Sequence, residues 1–125
     1  MRLLRVSPLL LVLAVPALAH AATTTVVVAP NANTFTPANF TITAGDKVTW
    51  THDAGNRPHN VDVSDGFVNG PTSSAAWKAS HTFNTPGTFT YKCDLHGPAG
   101  MTGTITVMYE VRLTDQREMS QERIT

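Results

Sequence analysis

From Ala22 to Tyr109 the chain is a succession of short Thr- and Val-rich segments in which polar and apolar residues alternate, cut repeatedly by Gly, Pro, Asn and Asp. That pattern confines it to an all-β fold, because no stretch repeats its apolar residues at the helical period. Strands are expected at 24–28, 39–43, 47–51, 59–63, 80–83, 88–93 and 103–109. Turns are expected at Ala44-Gly45-Asp46, Ser64-Asp65-Gly66 and Asn84-Thr85-Pro86-Gly87, where Gly supplies a positive φ and Pro presets its own. About seven strands at this spacing predict a Greek-key β-sandwich, each strand burying alternate side chains between two sheets.

Parity then assigns faces. In the segment 88–93, Phe89, Tyr91 and Cys93 share one face and Thr88, Thr90 and Lys92 the other, so the Cys93 side chain points inward. In 59–63, His59 lies on the face of Val61 and Val63, which turns its ring inward at the start of the strand.

At 125 residues the chain is long enough for one domain and too short for two. Charged residues make up 14% of it with a formal net charge of zero, against about 25% in an average soluble protein. No excess of positive charge is present to attract nucleic acid or an anionic membrane. The start reads as a secretory signal peptide over 1–21: basic Met1-Arg2-Leu3-Leu4-Arg5, an apolar run from Leu9 to Leu18, then the small-residue site Ala19-His20-Ala21. The run contains Pro16 and is shorter than the roughly 20 residues of a membrane-spanning helix. Cleavage is expected after Ala21, with Ala19 as the alternative, giving a periplasmic protein with no anchor. The domain then covers 22–109, and 110–125 is a charged tail whose alternation prolongs the last strand to Leu113 before order fades.

Export makes the single cysteine informative. In an oxidising compartment cysteines come in pairs, and an unpaired thiol survives when buried or bound to a metal. A lone buried Cys, or a lone Met, is commonly core filling. The run Cys93-Asp94-Leu95-His96-Gly97-Pro98-Ala99-Gly100-Met101 instead places a thiolate, an imidazole and a thioether in one loop able to wrap around one ion. Soft sulfur with imidazole favours copper or zinc over magnesium or calcium, and two His, one Cys and a weak axial Met form the blue-copper set. By parity His59 supplies the second imidazole.

These residues resemble the cupredoxins, in particular the plastocyanin, amicyanin and pseudoazurin group. The loop spacing of Cys, two residues, His, four residues, Met is similar to theirs, as are Pro58-His59-Asn60-Val61 and the lead-in Phe83-Asn84-Thr85-Pro86-Gly87-Thr88-Phe89-Thr90-Tyr91. The resemblance spans Val26 to Met108. It implies one copper ion cycling between Cu(I) and Cu(II), with His59, His96 and Cys93 as ligands and Met101 as the weak axial ligand. It further implies that Asn60 hydrogen-bonds across to the cysteine loop, and that the His96 edge, set among Gly97, Pro98 and Ala99, is the electron's exit. The expected role is that of a monomeric one-electron carrier between larger redox proteins. The sequence departs from the group at Leu95, where Pro is common, and at Lys92, where plastocyanin carries an exposed Tyr.

The remaining candidates read more plainly. His52 is expected to be a solvated loop residue, His81 a partly buried, hydrogen-bonded one, and His20 part of the signal peptide. Asp53, Asp62, Asp65 and Asp94 are expected to be scattered solubility residues and not a carboxylate pair. No hydrolase elbow, phosphate loop, zinc-protease helix or Cys-x-x-Cys is present, so catalysis is not expected. Copper buffering or delivery is the alternative role, and zinc can occupy the same donors. A copper nitrite reductase needs more chain and an additional His-only site.

Overall fold

In the computed structural model the alternation of the sequence becomes burial. The description covers residues 21–110 together with Pro8 and Leu11. Val26 and Val28 are fully buried while Val27 between them is exposed, and Ile105 and Val107 flank a less buried Thr106; Val48 and Trp50 are fully buried too, although Thr49 between them is also covered. Each such side chain contributes about 1.5–3 kcal/mol relative to leaving it in water.

Among the described residues the strands are β1 (Thr23–Val28), β2 (Phe35–Thr36), β3 (Asn39–Thr43), β4 (Lys47–His52), β5 (Asp62–Val63), β6 (Trp77–Thr82), β7 (Gly87–Lys92) and β8 (Thr102–Met108), with one 3-10 turn at Gly97–Ala99. They form two four-stranded sheets, in the orders β2-β1-β4-β6 and β3-β8-β7-β5. β1 with β4 and β3 with β8 run parallel, and the other pairs antiparallel. From β2 to β7 every successive strand lies in the opposite sheet, giving the expected Greek-key sandwich. No described helix is long and apolar enough to cross a membrane.

The core joins both sheets through Tyr91, whose ring meets Trp50 at 5.7 Å and Phe35 at 4.8 Å between centroids, both edge-on. Its hydroxyl donates to the Ala38 carbonyl at 2.7 Å. Gly103 lies opposite Tyr91 in the register, and a Cβ there would run into the Tyr91 ring and the Ala38 carbonyl oxygen. A glycine is therefore required where this ring crosses β8.

Three expectations change. Among the described residues there are eight strands where about seven were expected, because Phe35–Thr36 pairs briefly with β1. The segment 59–63 forms strand only at Asp62–Val63. His59 instead makes an isolated bridge to Ser73, and the Val61 amide donates to the Asn69 side chain, so local loops satisfy the backbone there. β6 begins at Trp77, and this earlier start carries β4 on to His52. Nearly all of the signal peptide lies outside the described residues; β8 ends at Met108, Tyr109 and Glu110 carry no strand, and the rest of the expected extension to Leu113 lies outside the described residues.

Candidate metal centre

The site forms at one end of the sandwich, where β7 stops at Lys92 and β8 resumes at Thr102. The nine residues between them fold back on themselves. The Gly97 amide donates to the Cys93 carbonyl at 2.7 Å, the Ala99 and Met101 amides to the His96 carbonyl at 3.0 and 3.1 Å, and the Cys93 amide to the Met101 carbonyl at 3.2 Å. Gly100, at φ +99°, makes the reversal that a side chain would disfavour. Cys93 is buried, as parity predicts, and Met101 is buried as well, while His96 is partly exposed and Leu95 beside it is 56% exposed.

His59, Cys93 and His96 converge. One donor atom from each lies within 4.8 Å of the others. Cys93 Sγ is 3.6 Å from His96 Nδ1, which is 3.1 Å from His59 Nδ1. His59 is held for this by its far nitrogen: Nε2–H donates to the Ala32 carbonyl at 2.9 Å, leaving the Nδ1 lone pair facing the cluster. Burial, together with the neighbouring His96 and His52, holds its imidazole below the usual histidine range, against the opposing pull of the Ala32 hydrogen bond. A neutral imidazole is the form that binds a metal. Two imidazole nitrogens and a buried thiol with no disulfide partner, with the buried Met101 in the same loop, form a soft donor set that fits copper.

Asn60, 1% exposed, ties the two donor segments together. Its Oδ1 accepts from the Asp94 amide at 2.9 Å, and its Nδ2 donates to Asp94 Oδ2 at 2.7 Å and to the Gly70 carbonyl at 2.9 Å. The residue after His59 is thus locked to the residue after Cys93. Gly55 packs so closely on Pro30 that no Cβ fits. With the Asn31 side chain accepting from the Asn56 amide, this seats the loop that presents the Ala32 carbonyl.

Two expectations for other residues are overturned. His52 is not a solvated loop residue: it ends β4, is 2% exposed, stacks on Trp77 and donates from Nδ1–H to the Ala75 carbonyl at 3.0 Å. Pairing with Val28 on one side and Trp77 on the other holds it in the sheet. Nor are Asp62 and Asp94 independent. β5 places Asp62 opposite Lys92, within hydrogen-bonding reach of Asp94. Loss of solvent and then Asp94 itself push Asp62 above the usual carboxylate range, while hydrogen bonds from Asn60 and from Asp62 hold Asp94 below it. His81 is partly buried as expected, with Nε2 2.6 Å from Asp65 Oδ2. The Ala32 carbonyl and the Trp77 indole, which donates to the His59 carbonyl at 3.2 Å, were missed because neither carries a motif in the sequence.

Comparison with known proteins agrees with this geometry. Residues 22–108 match the family of copper binding proteins described as plastocyanin/azurin. A plastocyanin from Scenedesmus fuscus is 40% identical over 86 residues, covering 58% of this chain and 85% of that protein. Among solved structures, a mutant fern plastocyanin superposes with a TM-score of 0.55 at 26% identity, covering 68% of this chain and all of that one. A copper-containing nitrite reductase from Thermus scotoductus superposes with a TM-score of 0.57 at 25% identity, but the match takes in 23% of the enzyme's chain.

Proposed function

This chain belongs to the plastocyanin/azurin family of copper-binding proteins, and from that membership we propose that it is an exported, periplasmic, monomeric one-electron carrier with a single type 1 copper site. His59 Nδ1, His96 Nδ1 and Cys93 Sγ would hold the ion most strongly, with Met101 as a weaker fourth donor. The observation that carries this reading is the convergence of the three donor atoms within 4.8 Å, with the His59 tautomer already set by Ala32.

When bound by these residues, copper would supply one-electron redox chemistry. The chain's own residues hold the donors still and keep water away. Cys93 and His59 are fully buried, and the loop hydrogen bonds and Asn60 restrain them in either oxidation state. Little rearrangement then accompanies each transfer. His96 is the donor with an exposed edge, among Leu95, Pro98 and Ala99, which suits transfer to a redox protein docking on a small apolar surface. The absence of a hydrolase elbow, a phosphate loop or a zinc-protease motif from the sequence supports a carrier over an enzyme.

Voltammetry of the copper-loaded protein, combined with chelator competition, tests the role. A carrier gives a fast, reversible one-electron wave and retains its ion against a competing chelator. Slow redox cycling with rapid loss of copper to the chelator would assign the protein to copper buffering instead.

A further inference from the structure

Trp77, at the start of β6, reaches His59 by two routes, one direct and one through His52. Register pairs it with His52 of β4, so the two side chains leave the sheet on one face. Their rings stack with centroids 5.4 Å apart and planes 22° apart. His52 in turn meets His59 edge-on at 5.4 Å and 90°. Trp77 also reaches His59 directly, through the hydrogen bond from its indole N–H to the His59 carbonyl. A ring stack and a hydrogen bond thus lead from the same donor residue to the same indole.

His52 is an expensive residue for packing alone. Its Nδ1–H is satisfied by Ala75, but Nε2 is buried with no partner among the described residues, a deficit that a phenyl ring would avoid. β6 is the edge strand of its sheet and Trp77 is partly exposed, so the aromatic path ends at solvent. That end belongs to the β4–β6 side of the sandwich, whereas His96 opens from the loop between β7 and β8.

We propose that Trp77, with His52 beside it, is a second electron port of the copper centre, serving a redox partner that does not approach His96. The inference rests on the carrier reading above. Tunnelling decays steeply across empty space and less across covalent bonds, hydrogen bonds and packed π systems, and this path has all three. The external one-electron oxidant gains the electron that the centre loses. No bond forms or breaks, no proton moves, and both rings finish the step unchanged.

The test uses the copper-loaded protein carrying a ruthenium polypyridyl photo-oxidant on Ala76→Cys or, separately, on Ala99→Cys, both exposed positions. Intramolecular oxidation of the centre is timed in each with Trp77 retained, with Trp77→Phe and with Trp77→Leu. The rate from position 76 is expected to fall about tenfold in Trp77→Leu, equivalent to about 1.4 kcal/mol in the barrier. Trp77→Phe, which keeps a ring and loses the N–H, falls between. The rate from position 99 changes much less, so the ratio of the two rates falls, because any shift in potential from the lost His59 hydrogen bond acts on both labels alike. An unchanged rate from position 76 in Trp77→Phe and Trp77→Leu would overturn the port. So would equal slowing from both labels with a shifted potential, since Trp77 would then only position His59. A parent protein with no copper–thiolate band overturns the carrier reading itself, and the port with it.

Discussion

Replacing Asn60 by Ala removes a side chain that ties the His59 segment to the cysteine loop by hydrogen bonds. Three hydrogen bonds go: two with neutral backbone groups and one to the Asp94 carboxylate. Neutral pairs contribute about 0.5–1.5 kcal/mol each and a charged one about 1.5–3. Asp94 is exposed, so water takes over part of its interactions, and the expected loss is about 2–4 kcal/mol out of a total of roughly 5–15. For a domain of this size that lowers the melting temperature of the metal-free protein by about 10–25 °C. The hydrogen bond from Asn60 is the first cause of the lowered Asp94 pKa. Its stabilisation is therefore present above the unfolded value near pH 3.9 and is lost as pH falls through the lower folded value. The gap between parent and variant should narrow in acid. Copper affinity should fall about 10–100-fold, as for other residues that orient ligands. Calorimetry at pH 7 and pH 3 with chelator-competed copper titrations measures all three. A melting shift below about 4 °C with unchanged affinity would refute the assignment of Asn60 as the clamp.

Gly103→Ala should destabilise the fold by about 1–3 kcal/mol, because the new methyl meets the Tyr91 ring and the Ala38 carbonyl; urea denaturation that matches the parent would contradict that packing. Burial pushes Asp65 up, but hydrogen bonds from His81 and the Phe67 amide outweigh it and leave the carboxyl below its usual range. In His81→Phe, which keeps a ring stacked on Phe67, an NMR titration should show the Asp65 pKa rise. Since a depressed acid stabilises above its unfolded pKa and loses that contribution as pH falls through its folded one, the parent should lead by about 0.2–1 kcal/mol at neutral pH and lose the lead below about pH 4.

The parts legible in the sequence are those encoded locally. Period-two alternation placed Phe89, Tyr91 and Cys93 on the inner face, and the Cys93, His96 and Met101 spacing marked one closed loop. His59 was legible through parity: it is buried with Val61 and Val63, although the segment keeps only a bridge at His59 and the short strand Asp62–Val63. Contacts set by long-range pairing were not. His52 becomes buried only because Trp77 pairs with it across β4 and β6, and Asp62 reaches Asp94 only through the β5–β7 register. The Ala32 carbonyl that fixes the His59 tautomer is a backbone atom, which any residue at that position would supply.

The central claim, that one copper ion sits on His59, Cys93, His96 and Met101, is tested most directly by the visible absorption spectrum during Cu(II) titration of the parent and of Cys93→Ser. The account predicts an intense copper–thiolate band in the parent that grows linearly to one equivalent and then stops, and its complete loss in Cys93→Ser. A parent without the band, or a band that persists when Cys93 is replaced, would contradict it.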